Sequence, residues 1–166
     1  MPSKETLVAV IMGSISDADI VKGCTDMLIE FDIPYDVKVL SAHRTPDLTR
    51  EYVLSLNNSK TEVIIAAAGW AAHLAGFIAG MTVLPVIGIP VDSSPLNGMD
   101  ALLSTVQMPP GIPVATVAVG SGGAKNAAVL ALEILALNRP ALKDQLLSYR
   151  KKLAEKIEAQ NLRGLS

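Results

Sequence analysis

The chain has 166 residues, half of them hydrophobic, which suits a single compact domain (1–166) with a substantial core. Sixteen acidic against fourteen basic residues give a formal net charge of −2, so no basic stripe offers itself to nucleic acid or to an anionic membrane. The single cysteine excludes an internal disulfide framework and fits a reducing compartment.

The opening "MPSKETLVAV" lacks the apolar core and cleavage site of a secretory signal, so a cytoplasmic location is expected. "LVAVIM" (7–12) reads as a first strand, followed by the loop "GSISD" (13–17) and a helix over 16–31. Cys24 falls inside that helix and reads as a small buried hydrophobe. "YDVKVLS" (35–41) is a second strand, "SAHRTP" (41–46) its exit, and 46–57 the next helix. "EVIIAAA" (62–68), the loop "GWAAH" (69–73) and a helix over 71–81 follow. "LPVIGIP" (84–90) is the fourth strand, leaving through "VDSSPLNG" (91–98) into a helix over 98–107. The Pro-rich "QMPPGIP" (107–113) turns into a fifth strand, "VATVAV" (114–119). "GSGGAKN" (120–126) then opens a helix over 122–137, and a last helix spans 140–159.

The first, third and fifth strands are apolar almost throughout, the composition of strands covered on both faces. Strand–helix alternation predicts an α/β fold with a parallel sheet and right-handed crossovers. No charge falls between Val63 and Val91, long enough to span a bilayer. Two prolines, a histidine and four glycines within it favour strand, small-residue helix and strand instead.

The helix over 122–137 is apolar around most of its circumference. The last helix opens with Asn138 as cap and Pro140 in its first turn, then aligns Leu142, Leu146, Tyr149, Leu153 and Ile157 along one stripe. Such surplus apolar surface on a small domain predicts a homo-oligomer.

In an open α/β sheet, ligands bind outside the carboxyl ends of the strands. The five exit loops therefore share one rim, and both histidines of the chain lie among them. "MGSISD" brings Gly13, Ser14, Ser16 and Asp17 to the start of a helix, where free N–H groups suit a phosphate; a simple capped helix is the plainer reading. Without G-x-G-x-x-G, NAD binding is not expected. "GSGGAK" misses the P-loop spacing, because Lys125 precedes Asn126, so ATP hydrolysis is not expected either. No standard zinc spacing and no G-x-S-x-G occur.

His43 and Arg44 remain. The guanidinium suits bidentate contact with a phosphate, while the imidazole is the side chain able to take and return a proton near neutral pH. Ser41 and Thr45 flank the pair with hydroxyls. One residue can hold an anion while its neighbour moves a proton.

"GSISD", "SAHRTP", "AAHLAG", "GMDALLSTVQMPPGIPVATVAVG" and "GAKNAAVLALEIL", in this order over residues 7–150, resemble the PurE family of N5-carboxyaminoimidazole ribonucleotide mutases, also described as phosphoribosylaminoimidazole carboxylase catalytic subunits. The resemblance implies a flavodoxin-like three-layer α/β/α sandwich with a five-stranded parallel sheet, core 7–137. It implies an octamer in which the C-terminal helix (140–159) packs on neighbouring subunits. The implied reaction moves a carboxylate from a nitrogen to a ring carbon of an aminoimidazole ribonucleotide in purine synthesis, without metal or cofactor. Carried over residue by residue, His43 would be the general acid/base. Ser14 and Asp17 would bind the ribonucleotide with Gly13 and Ser16 nearby, and Ser41 and Arg44 would hold its phosphate end. Gly69, Ala71, His73 and Leu74 would line the carboxylate pocket. His73 points to the mutase class, class I, over the related carboxylase that takes carbon dioxide directly.

Ala67, Trp70 and Ala75 depart from the family's usual pattern, replacing two glycines and a proline. Trp70 either turns its indole outward against a neighbouring subunit or reshapes the pocket. The second case implies a carboxylase or decarboxylase of a related heterocycle, or a non-catalytic nucleotide-binding oligomer.

Overall fold

Five parallel strands, β1 (Val8–Met12), β2 (Tyr35–Val39), β3 (Val63–Ala68), β4 (Val86–Pro90) and β5 (Ala115–Thr116), form a sheet in the order β2-β1-β3-β4-β5. The computed structural model describes residues 5–163. Between the strands run α1 (Ala18–Glu30), α2 (Pro46–Leu56), α3 (Leu74–Ala79) and α4 (Met99–Val106), with α5 (Gly120–Ala136) and α6 (Pro140–Arg163) after them. This is the flavodoxin-like order, and its chain reversal falls between β1 and β3. The uncharged stretch 63–91 resolves into β3, α3 and β4. Among the described residues no helix is long and apolar enough to cross a membrane.

All five residues of β1 and all five of β4 are buried. One face packs Ala9, Ile11, Ile64 and Ala66 against Tyr52, Val53 and Leu56 of α2 and Leu74, Ala75 and Ile78 of α3. The alternate residues Val8, Val10, Ile65 and Ile87 are also inaccessible, so the other face is covered as well. Each such side chain contributes about 1.5–3 kcal/mol on burial. Cys24 of α1 is buried, and burial pushes its thiol up to about 12.

Two expectations need correction. β5 is not covered on both faces: it ends the sheet, pairs over two residues only, and leaves Ala115 exposed. β4, with neighbours on both sides, takes that buried place. α3 is also shorter than the apolar pattern over 71–81, because residues 69–73 form an exit loop rather than helix. The C-terminal helix runs past Ile157.

Gly88 shows how closely β4 is packed. A Cβ there would lie 2.4 Å from Thr105 Cγ2 of α4 and 3.0 Å from Val114 Cγ1.

The chain divides into two compact units, one up to Ala131 and one from Leu132. In the second, Leu142 and Leu146 are buried, whereas Leu147, Leu153 and Ile157 stay exposed along α6, and Arg150 pairs with Glu133.

Candidate active site

Four exit loops meet at the reversal between β1 and β3 and enclose a cavity of about 600 Å³, within the range of small-ligand pockets. The first follows β1. Ser14 is extended and caps the turn that follows, its Oγ accepting from the Ser16 N–H at 3.3 Å and from the Ser16 hydroxyl at 2.8 Å. The Ser16 hydroxyl also reaches Asp17 Oδ1 at 3.3 Å. Asp17 is buried, and burial pushes its carboxyl above the ordinary range; Ser16, the Ser14 backbone and the Arg44 charge oppose that shift.

The second loop follows β2. Ser41 donates its N–H to Thr45 Oγ1 at 2.9 Å, and Thr45 returns its own N–H to the Ser41 carbonyl at 2.9 Å. This closes a turn that Pro46, at the first helical position of α2, continues without losing a needed donor. Arg44 leans back across the sheet edge: its Nη2 donates to the Gly13 carbonyl at 2.9 Å, and its backbone N–H donates to Ser41 Oγ at 3.2 Å. The guanidinium thereby ties the β1 and β2 loops together.

The third loop follows β3. A Cβ on Gly69 would lie 1.9 Å from Ser93 Oγ and 3.2 Å from the Val91 carbonyl, so any side chain there would force Ser93 to move. Trp70 has φ 56°, the left-handed region. An aromatic residue there carries roughly 1–2 kcal/mol of backbone strain that a glycine would not. Trp70 belongs to the cavity lining and is 61% exposed. His73 precedes α3, and its Nδ1 stands 2.8 Å from His43 Nε2 with the rings edge to face.

Gly13, Ser14, Ser16, Asp17, Ser41, His43, Arg44, Gly69, Ala71, His73 and Leu74, all nominated from the sequence, line this one cavity. Ala42, Ala68, Ala72 and Ser93 line it too and were not nominated. Ser93 is the informative omission. "DSS" offers two adjacent hydroxyls, and only the fold separates them: Ser94 is buried and donates to Asp100 Oδ1 at 2.7 Å, while Ser93 faces the hollow. The fifth loop does not line the cavity. Gly120 lies beside Asp92 instead, because β5 is two strands removed from the reversal.

Chemically, the arrangement offers an imidazole pair, a guanidinium, one buried carboxylate and the hydroxyls of four serines around small apolar residues. Among the described residues, no group of three or more His, Cys, Asp or Glu is placed to hold a metal ion.

A family profile described as AIR carboxylase matches residues 7–156. The N5-carboxyaminoimidazole ribonucleotide mutase of Pyrococcus horikoshii is 52% identical over 158 residues, covering 95% of this chain and 88% of that protein. The Pseudomonas aeruginosa protein of the same description is 52% identical over 151 residues, covering 91% and 93%. Among solved structures, Treponema denticola PurE superposes with a TM-score of 0.87 at 30% identity, covering 95% of this chain and 98% of that one.

Proposed function

The chain belongs to the AIR carboxylase family, and from that membership we propose that it is an N5-carboxyaminoimidazole ribonucleotide mutase, an isomerase of de novo purine synthesis. The observation that carries the reading is the convergence of His43, Arg44, Ser14 and Asp17 on one cavity in a chain about half identical to such mutases along nearly its whole length.

We assign the parts as follows. Arg44 and Ser41 hold the phosphate, and Ser14, Ser16 and Asp17 hold the ribonucleotide. The bond from N5 to the carboxylate breaks, its electron pair returns to nitrogen, and carbon dioxide is released. C4, made electron-rich by the amine, attacks that carbon dioxide, and the new bond leaves a proton on C4 to be removed. One proton is therefore delivered to N5 and one taken from C4, so atoms and electrons balance without a further reactant. His43 performs both transfers, and the 2.8 Å contact lets His73 share the proton. Ala42, Ala68, Ala71 and Ala72 give the hollow an apolar wall where carbon dioxide can wait near C4 instead of escaping.

We further place the chain in the mutase class, class I, on the strength of His73. A cytoplasmic homo-octamer is proposed, with the exposed Leu147, Leu153 and Ile157 of α6 supporting contact between subunits.

The test is a spectrophotometric assay of purified protein with N5-carboxyaminoimidazole ribonucleotide. Formation of 4-carboxy-5-aminoimidazole ribonucleotide supports the reading. No product above the uncatalysed background would overturn it.

A further inference from the structure

We propose that Trp70 is a substrate-contacting specificity residue of this chain, its indole forming a stacking wall for the flat heterocycle at the mouth of the cavity; this rests on the ribonucleotide reading above. Three observations converge. Trp70 lines the cavity while most of its surface remains open, so a bound ring can still cover it. Its backbone is left-handed, a conformation that disfavours a bulky aromatic, and so exposed a side chain recovers little packing within the chain itself. It stands between two tight places, since Gly69 leaves no room for a side chain beside Ser93 and His73 meets His43 three residues on.

A flat, electron-rich ring laid on that indole would bury apolar area from both partners, and stacked geometry adds to the burial. The same contact would narrow the mouth through which carbon dioxide leaves. Ring recognition would then fall to Trp70, and phosphate recognition to the opposite loop.

Trp70 is the only tryptophan, so its emission reports on this wall alone. The full-length protein is titrated with aminoimidazole ribonucleotide and, separately, with ribose 5-phosphate, while emission and acrylamide quenching are followed. The ribonucleotide is expected to shift the emission and shield the indole, and ribose 5-phosphate to do neither. Trp70→Gly should weaken ribonucleotide binding roughly tenfold and leave ribose 5-phosphate affinity unchanged, with Trp70→Phe retaining most of the affinity. Three outcomes overturn the proposal: an indole already shielded before ligand, as a neighbouring subunit would cause; equal shifts from both ligands; or unchanged ribonucleotide affinity in Trp70→Gly. Any of these with mutase turnover intact defeats the stacking wall alone, whereas absent turnover in the parent protein defeats the function.

Discussion

His43 Nε2 and His73 Nδ1 lie 2.8 Å apart although thirty residues separate them in the chain. One of the two nitrogens must donate and the other accept, so the tautomers of the two rings are coupled. In the reaction proposed above, a proton taken by one ring is shared with the other.

His43→Asn should therefore lower turnover by about a hundredfold to ten-thousandfold, the range for loss of a general acid/base. Binding of aminoimidazole ribonucleotide, followed by calorimetry, should change little. His73→Asn, which removes the coupling but leaves His43, should lose on the order of tenfold to a hundredfold and alter the pH–rate profile. Wild-type turnover in the His43 variant would show that another group carries the proton.

Arg44→Lys should raise KM by at least tenfold while moving kcat less. Lysine keeps the charge but lacks the planar fork that reaches the Gly13 carbonyl at 2.9 Å while addressing an anion. A hydrogen bond from a charged donor contributes about 1.5–3 kcal/mol, which sets that scale. Steady-state kinetics at two ionic strengths would separate loss of geometry from loss of charge.

Asp17→Asn should stabilise the protein at pH 7 while weakening substrate affinity. Burial holds the folded carboxyl above its ordinary 3.8. The folded state therefore binds this proton more tightly than the unfolded state, and stability falls as pH rises from about 3.8 through the raised value. Above that window the desolvated charge is a constant penalty, which the amide removes. Thermal melts across pH should show the variant's advantage at neutral pH and its disappearance below about pH 4. A lower melting temperature for the variant at pH 7 would contradict this.

Gly69→Ala should destabilise by about 1–3 kcal/mol, since the new methyl meets Ser93 Oγ at 1.9 Å. The double variant Gly69→Ala/Ser93→Gly should recover much of the loss, though the Val91 carbonyl at 3.2 Å remains close. Denaturant unfolding of the four proteins gives the coupling directly.

Much of this arrangement is legible in the chain because it is periodic or local. Strand–helix alternation yields the parallel sheet, and short loops after strand ends yield the rim. β5 shows the limit: "VATVAV" is as apolar as a central strand, but only the order of the sheet decides which strand lies at the margin. Ser93 and Ser94 differ only in which way the backbone turns them. The strain at Trp70 is likewise hidden, because a sequence lists side chains and not dihedral angles. The contact between His43 and His73 depends on two loops from strands separated by β1, a relation that no spacing expresses.

The two margins of the sheet bear on how so greasy a chain, with mean hydropathy +0.40, avoids clumping while it folds. β5 offers a stranger only two residues of ladder, too few to zip onto. β2, at the other margin, carries the ion pair between Lys38 and Asp36 at 3.4 Å, and charges on an edge strand disfavour the docking of another strand. Chains can therefore meet through helices without their sheets fusing end to end.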